Sequence, residues 1–154
     1  MIKKATADDG EEVFDIRRRA ILAQCIDDYP IELIKAWTDG DMPVEFVKKL
    51  AVDGYVEIID NCIAATGMVD LTTGIVDAVF VCPNFMQQGL GRKMLSYLEA
   101  AAKQAGVRQL HLDSTLNAAT FYRHCGFVGN EVAIYHSPRG LDLACIPMCK
   151  KLNV

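Results

Sequence analysis

Two glycines one residue apart, Gly89 and Gly91, stand between a β-branched apolar run and an amphipathic helical one. The stretch reads Val79-Phe80-Val81-Cys82-Pro83-Asn84-Phe85-Met86-Gln87-Gln88-Gly89-Leu90-Gly91-Arg92-Lys93. A buried strand ends at a proline, crosses a polar loop and turns into a helix. The apolar face of that helix is Leu90, Met94, Leu98, Ala101 and Ala105. Glycine lets the backbone approach a ligand closely. The amides of a first helical turn have no internal partners and carry the positive end of the helix dipole. Together these features suit phosphate oxygens. Arg92 and Lys93 in the same turn oppose the dipole, a cost that a bound anion removes. A tight strand-to-helix turn without a ligand also accounts for Gly-x-Gly. The G-x-x-x-x-G-K-[ST] loop is absent, and Met94 stands where the G-x-G-x-x-G dinucleotide fingerprint needs its third glycine.

The rest of the chain alternates in period. Ile2–Thr6 reads as a short edge strand. Asp8 or Asp9, with Glu11 or Glu12 three residues on, reads as the capping box of a helix that Tyr29-Pro30 breaks. Ile31–Trp37 and Pro43–Val52 read as two further helices. Tyr55–Ile59, Cys62–Val69 and Gly74–Cys82 are β-branched and apolar, parted by the hairpin-type turns Asp60-Asn61 and Thr72-Thr73-Gly74. After the glycine loop and its helix, which stops at Gly106, Val107–Leu112 returns to strand. Asn117–Cys125 fits a short helix. Phe127–His136 and Leu141–Lys150 fit two closing strands around Ser137-Pro138-Arg139-Gly140. The expected fold is a mixed α/β sheet, mostly antiparallel, of six to seven strands flanked by helices.

Length and charge narrow the function. The 154 residues suit a single domain over 1–154, and 51% apolar content supplies its core. A net charge of −4 argues against nucleic-acid or anionic-membrane partners, which call for basic surface. The six cysteines form no C-x-x-C pair and no zinc spacing with His111, His124 and His136. They read as reduced structural thiols, and with them the expected location is cytoplasmic. No run approaches the ~18 residues of a membrane span, so no metal and no membrane are expected.

The glycine loop resembles the coenzyme-A loop of the GNAT superfamily of N-acetyltransferases, whose pattern is [Q/R]-x-x-G-x-[G/A] after a strand. A second motif supports the resemblance. Leu110-His111-Leu112-Asp113, then Asn117-Ala118-Ala119-Thr120-Phe121-Tyr122-Arg123-His124-Cys125-Gly126-Phe127, is similar to the family's strand, N-x-x-A-x-x-x-Y and G-F signature. The likeness covers residues 54–152 well and the N-terminal helices loosely. It departs at Met86, where the family has Gln or Arg and where no side-chain hydrogen bond to phosphate is possible. That change implies weaker cofactor binding.

The resemblance implies acetyl transfer from acetyl-CoA to a primary amine of a small molecule or peptide, with CoA as product. It implies that Val79, Phe80 and Val81 hold the pantetheine arm and the thioester carbonyl. Met86, Gln87, Gln88, Gly89, Leu90, Gly91 and Arg92 are then the pyrophosphate loop. Asn117 falls at a pantetheine contact or a helix cap, with Ala119 beside it. Tyr122 falls on the general acid; on position alone it is a core aromatic. Asp77 is the first candidate base, with His111, Asp113, Glu57 or water as alternatives. Acceptor specificity would come from Cys25, Asp27, Asp28, Tyr29 and Trp37 on one side, and Tyr135, His136 and Arg139 on the other. A non-catalytic acyl-CoA-binding module of the same fold is the rival reading. Either is compatible with a monomer or a homodimer.

Overall fold

Strand β1 (Ile2–Lys4) opens the chain in a computed structural model that describes residues 1–153. A 3-10 turn, Ala7–Asp9, leads into α1 (Gly10–Gln24). The cap lies one turn earlier than the pattern suggests. The Thr6 N–H donates to Asp9 Oδ2 at 2.9 Å, while Glu12 accepts from the Ile63 N–H at 2.9 Å. Glu12 thus ties α1 to the sheet instead of closing a capping box. Helices α2 (Ile31–Thr38) and α3 (Val44–Asp53) follow.

Strands β2 (Gly54–Ile59), β3 (Cys62–Val69) and β4 (Val76–Val81) join β1 in an antiparallel sheet of order β1-β2-β3-β4. Asp60 and Asn61 both have positive φ, 52° and 62°, the backbone of a type I′ hairpin turn. Beyond the glycine loop come α4 (Leu90–Gln104), β5 (Gln109–Ser114), α5 (Ala119–His124), β6 (Ala133–His136) and β7 (Asp142–Lys151). The last three strands form a second antiparallel sheet, β5-β7-β6.

The two sheets meet at one parallel bridge between Ile75 and His111. There the His111 N–H donates to the Gly74 carbonyl at 2.9 Å. A Cβ on Gly74 would lie 2.2 Å from the Gln109 carbonyl oxygen. Only glycine lets the sheets come this close. Among the described residues no further rung joins β4 to β5, so the strands part beyond the bridge.

One expected strand is interrupted. Val128 bridges Cys149, but β6 begins only at Ala133, opposite Cys145. Pro147 lies between those two partners and has no N–H to donate. The ladder lapses over residues 129–132, and at Gly129 the backbone lies so close to β7 that a Cβ would meet the Pro147 carbonyl oxygen at 2.2 Å.

Strand β3 is buried on both faces. On one, Val13 and Ile16 of α1 and Leu50 of α3 pack against Val56, Ile63 and Met68. On the other, Met94, Leu98 and Ala102 of α4 pack against Ala65, Val69 and Leu110. A third cluster, Tyr29, Ile34 and Trp37 with Leu143, fixes the α1–α2 segment to β7. Tyr29 does this with its hydroxyl, which donates to the Ala144 carbonyl at 2.6 Å and accepts from the Leu116 N–H at 3.0 Å.

Candidate active site

The site is organised by a defect in β4. Met68 pairs with Asp77 and Thr66 with Phe80, so three steps along β4 oppose two along β3. The extra residue is absorbed at Ala78, whose φ is 51°. Non-glycine residues avoid this region, and bulges of this kind re-aim a strand. Beyond the bulge, the Cys82 N–H donates to the Ala64 carbonyl at 2.8 Å. Alternation along the strand then turns the amides of Val79 and Val81 away from β3, toward the opening between β4 and β5.

The loop after β4 delivers α4 to the same opening. Gly89 is the N-cap, left-handed at φ 77°, and nothing lies within 4 Å of the position its Cβ would take. The first helical bond runs from the Lys93 N–H to the Gly89 carbonyl, which leaves the amides of Leu90, Gly91 and Arg92 free of helical partners. Gly91 differs. It faces Phe121 and Val81 at distances where a Cβ would make only ordinary contact, so the packing of α4 on α5 and β4 does not require glycine there. Gln87 also has positive φ, 64°, and with Gln88 it is exposed. Met86 Sδ accepts a hydrogen bond from Gln24 Nε2 at 3.6 Å.

The two cations of the first turn divide. Lys93 pairs with Glu57, which is 2% exposed and also faces the Met1 ammonium at 2.7 Å. Burial alone would raise the Glu57 pKa; the two cations outweigh it and hold the carboxyl below its usual range. The dipole-opposing charge of Lys93 is therefore balanced by this carboxylate and requires no phosphate. Arg92 instead lines a groove with Leu95, Glu99, His124, Cys125 and Lys150.

Tyr122 sits on α5 beneath this start, between Phe121 and Phe127 in edge-on contacts of 5.1 and 5.7 Å. Burial, and then the charge of Asp77, push its phenol above the usual range. Ala119 is buried beside it. Asn117 does not cap α5, whose N-cap is Ala118. Its Oδ1 accepts from the Cys25 thiol at 3.3 Å. Burial raises that thiol to about 11, so Cys25 stays protonated.

On the far side of β4, Asp77 has both oxygens engaged: Oδ1 accepts from the Ala78 N–H at 2.8 Å and Oδ2 from Lys49 Nζ at 2.7 Å. His111 and Asp113 share the exposed face of β5. Asp113 stands opposite Pro147 of β7, and its charge helps raise the Tyr135 and Cys145 pKa values after burial. Glu57 is not brought into this group, because its oxygens face Lys93 and the terminal ammonium. Trp37 and Tyr29 are core residues in edge-on contact at 5.4 Å, whereas Asp27 and Asp28 are exposed. His136 pairs with Asp142 at 2.7 Å on the surface.

Three features escaped the sequence reading: the Ala78 bulge, Lys49 and Arg17. Neither Ala78 nor Lys49 carries a signal in sequence. Arg17 does, as a charge on the apolar stripe of α1, four residues after Val13 and three before Ala20. Among the described residues, no helix is long and apolar enough to cross a membrane, and no group of three metal-ligating side chains occurs.

A split sheet, with a bulged strand running into a glycine-opened helix, is the frame in which this site is built. The chain belongs to the GNAT family: residues 44–129, more than half of it, match the acetyltransferase (GNAT) domain. It is similar to an aminoglycoside N(6')-acetyltransferase type 1 of Stenotrophomonas maltophilia, at 25% identity over 118 residues, 64% of this chain and 77% of the relative. Its fold matches a GCN5-related N-acetyltransferase of Rhodopseudomonas palustris with a TM-score of 0.90. That match has 22% identity and covers 99% of this chain and 95% of the other. A paia N-acetyltransferase of Thermoplasma acidophilum, solved in complex with coenzyme A, follows at TM-score 0.76 and 16% identity, covering 99% and 98%.

Proposed function

We propose that this chain transfers the acetyl group of acetyl-CoA to a primary amine of a small molecule or peptide, with Tyr122 as general acid. The observation that carries this reading is a convergence. The Val81 amide is turned away from β3, the amides of Leu90 to Arg92 are free of helical partners, and Tyr122 belongs to the same core cluster as Leu90, with Val81 packed against it. The open space before Gly89 suits a pyrophosphate against the helix start. The outward amides of Val79 and Val81 suit an amide-bearing pantetheine arm.

In this reading the amine attacks the thioester carbonyl carbon, a C–N bond forms and the C–S bond breaks. The Val81 N–H stabilises the charge that develops on the carbonyl oxygen. Tyr122 gives its proton to the departing sulfur; its raised pKa keeps that proton in place until the sulfur needs it. Asp77 receives the amine's proton through water, since both its oxygens already face donors.

Incubation with acetyl-CoA and a panel of polyamines, aminoglycosides, amino acids and peptides, read by free thiol, tests the reading. Thiol release that requires an amine supports it. Tight CoA binding with no turnover on any amine favours the non-catalytic module, to which Met86 in the loop already lends support.

A further inference from the structure

Arg17 of α1 is a partly buried cation without a counter-ion. Its stem follows the apolar stripe between Val13 and Ala20, and its guanidinium lies over the Phe14 ring, 5.3 Å from the centroid. Nη2 donates to the Trp37 carbonyl at a long 3.4 Å. Nη1 is enclosed and has no partner among the described residues. Asp77 is near enough for its charge to favour the cation, but Lys49 and the Ala78 N–H occupy its oxygens. Arg139 and Arg18 lie near enough to oppose it. Arg139 comes from the β6–β7 turn, where it donates to the Asp39 carbonyl.

A guanidinium keeps its proton at neutral pH and cannot escape this environment by neutralising. A buried, unpaired charge is costly to the fold. Its location matters as much as its cost. Helix α1 packs against β4, the strand that carries Asp77, so in the acetyl-transfer reading, with Asp77 as base, Arg17 lies on the acceptor side. In a chain of net charge −4, Lys49 is balanced by Asp77, and Arg17, Arg18 and Arg139 leave this face locally cationic.

We propose that Arg17, with Arg139 beside it, binds the carboxylate of the acceptor, so that the substrate is an amino acid: amine and carboxylate on one small molecule. The inference rests on the acetyl-transfer reading above and names its substrate class. The planar guanidinium fork matches a carboxylate with two hydrogen bonds, and the carboxylate supplies the partner that Nη1 lacks. A polycationic aminoglycoside meets like charge on the same face and is disfavoured.

The test uses the whole chain, with and without CoA, against the standard amino acids and their carboxamides. At least one amino acid should raise the melting temperature and be acetylated, while its carboxamide should do neither. Arg17→Met keeps the stem and removes the charge. It should raise KM for that amino acid by roughly 10–100-fold, the range for a lost charge-assisted contact, and leave KM for acetyl-CoA unchanged. The unliganded variant should melt at the same temperature or higher, whereas a merely structural arginine would lower it.

Equal acetylation of acid and carboxamide overturns the proposal. So does an Arg17→Met variant that melts lower with KM unchanged. An absence of any amino-acid shift, while CoA itself shifts the melt, overturns it too and leaves the acetyl-transfer reading standing. If CoA gives no shift, the broader reading fails on its own, and the amino-acid arm run without CoA decides the carboxylate site.

Discussion

Gly91 faces Phe121 across a space that fits one methyl group: a Cβ there would lie 3.4 Å from Phe121 Cζ and 3.6 Å from Val81 Cγ2. Gly89 faces open space but holds φ at 77°. The two glycines should therefore answer oppositely to alanine. Gly91→Ala should leave the fold unchanged or stabilise it by up to about 1 kcal/mol, the helix preference of alanine. Gly89→Ala should cost about 1–2 kcal/mol, the left-handed penalty. Gly89→Asn tolerates that backbone, yet places a side chain where the pyrophosphate would sit. It should weaken CoA binding at least about tenfold, or 1.4 kcal/mol. Thermal melts and calorimetric titration with CoA check all three, and Gly89→Asn with full affinity would reduce the loop to a turn.

Acetyl-CoA and CoA should each stabilise the protein, while ATP and NAD should not, because the loop carries neither of their fingerprints. At a hundredfold excess over Kd the gain is about 2.7 kcal/mol, a shift of several degrees in the melt. A shift with ATP and none with CoA would contradict the proposed cosubstrate.

Tyr122→Phe keeps the ring between Phe121 and Phe127 and removes only the hydroxyl. Stability and acetyl-CoA affinity should change little, and kcat should fall by roughly 10²–10⁴-fold, the usual worth of general acid catalysis. Unchanged kcat, with chemistry limiting turnover, would return Tyr122 to a packing role.

Glu57 supplies a pH dependence. Its folded pKa lies below the ordinary carboxylate value, so the unfolded chain binds its proton first as pH falls. The stability it contributes is present above about pH 4.3, the ordinary glutamate value of an unfolded chain, and is lost as acid titrates the folded carboxyl. Glu57→Gln should cost on the order of 1–3 kcal/mol at neutral pH. The difference from the unmodified protein should vanish in strong acid. Denaturant melts of both proteins across that range measure it, and a pH-independent difference would mean that the ion pair with Lys93 contributes nothing.

Much of the architecture was legible because it rests on local rules. The Asp60-Asn61 turn, the Leu90–Leu98 face and the β-branched run Cys62–Val69 announce themselves by residue type and period. The departures come from contacts between distant segments. Pro147 on β7 interrupts β6, and within Phe127–His136 only Gly129, a glycine inside the expected strand, hints at it. Ile63 takes Glu12 away from its helix cap. Glu57 takes Lys93 away from the helix start, although both had looked like parts of a site. Ala78 carries the bulge that aims Val81, and alanine has no preference for positive φ to betray it. Motif singles out the loop glycines and Tyr122 as candidates, whereas Arg17 stands out only once its missing partner can be seen in three dimensions.

The junction at Gly74 has a consequence for the protein's life outside catalysis. A sheet opened in its middle has two interior margins, and their unsatisfied main-chain groups form a template on which another chain can grow. A ligand arm with amides of its own fills that margin as a surrogate strand. Occupancy should then slow hydrogen exchange at Val79 and Val81 and suppress self-association on storage.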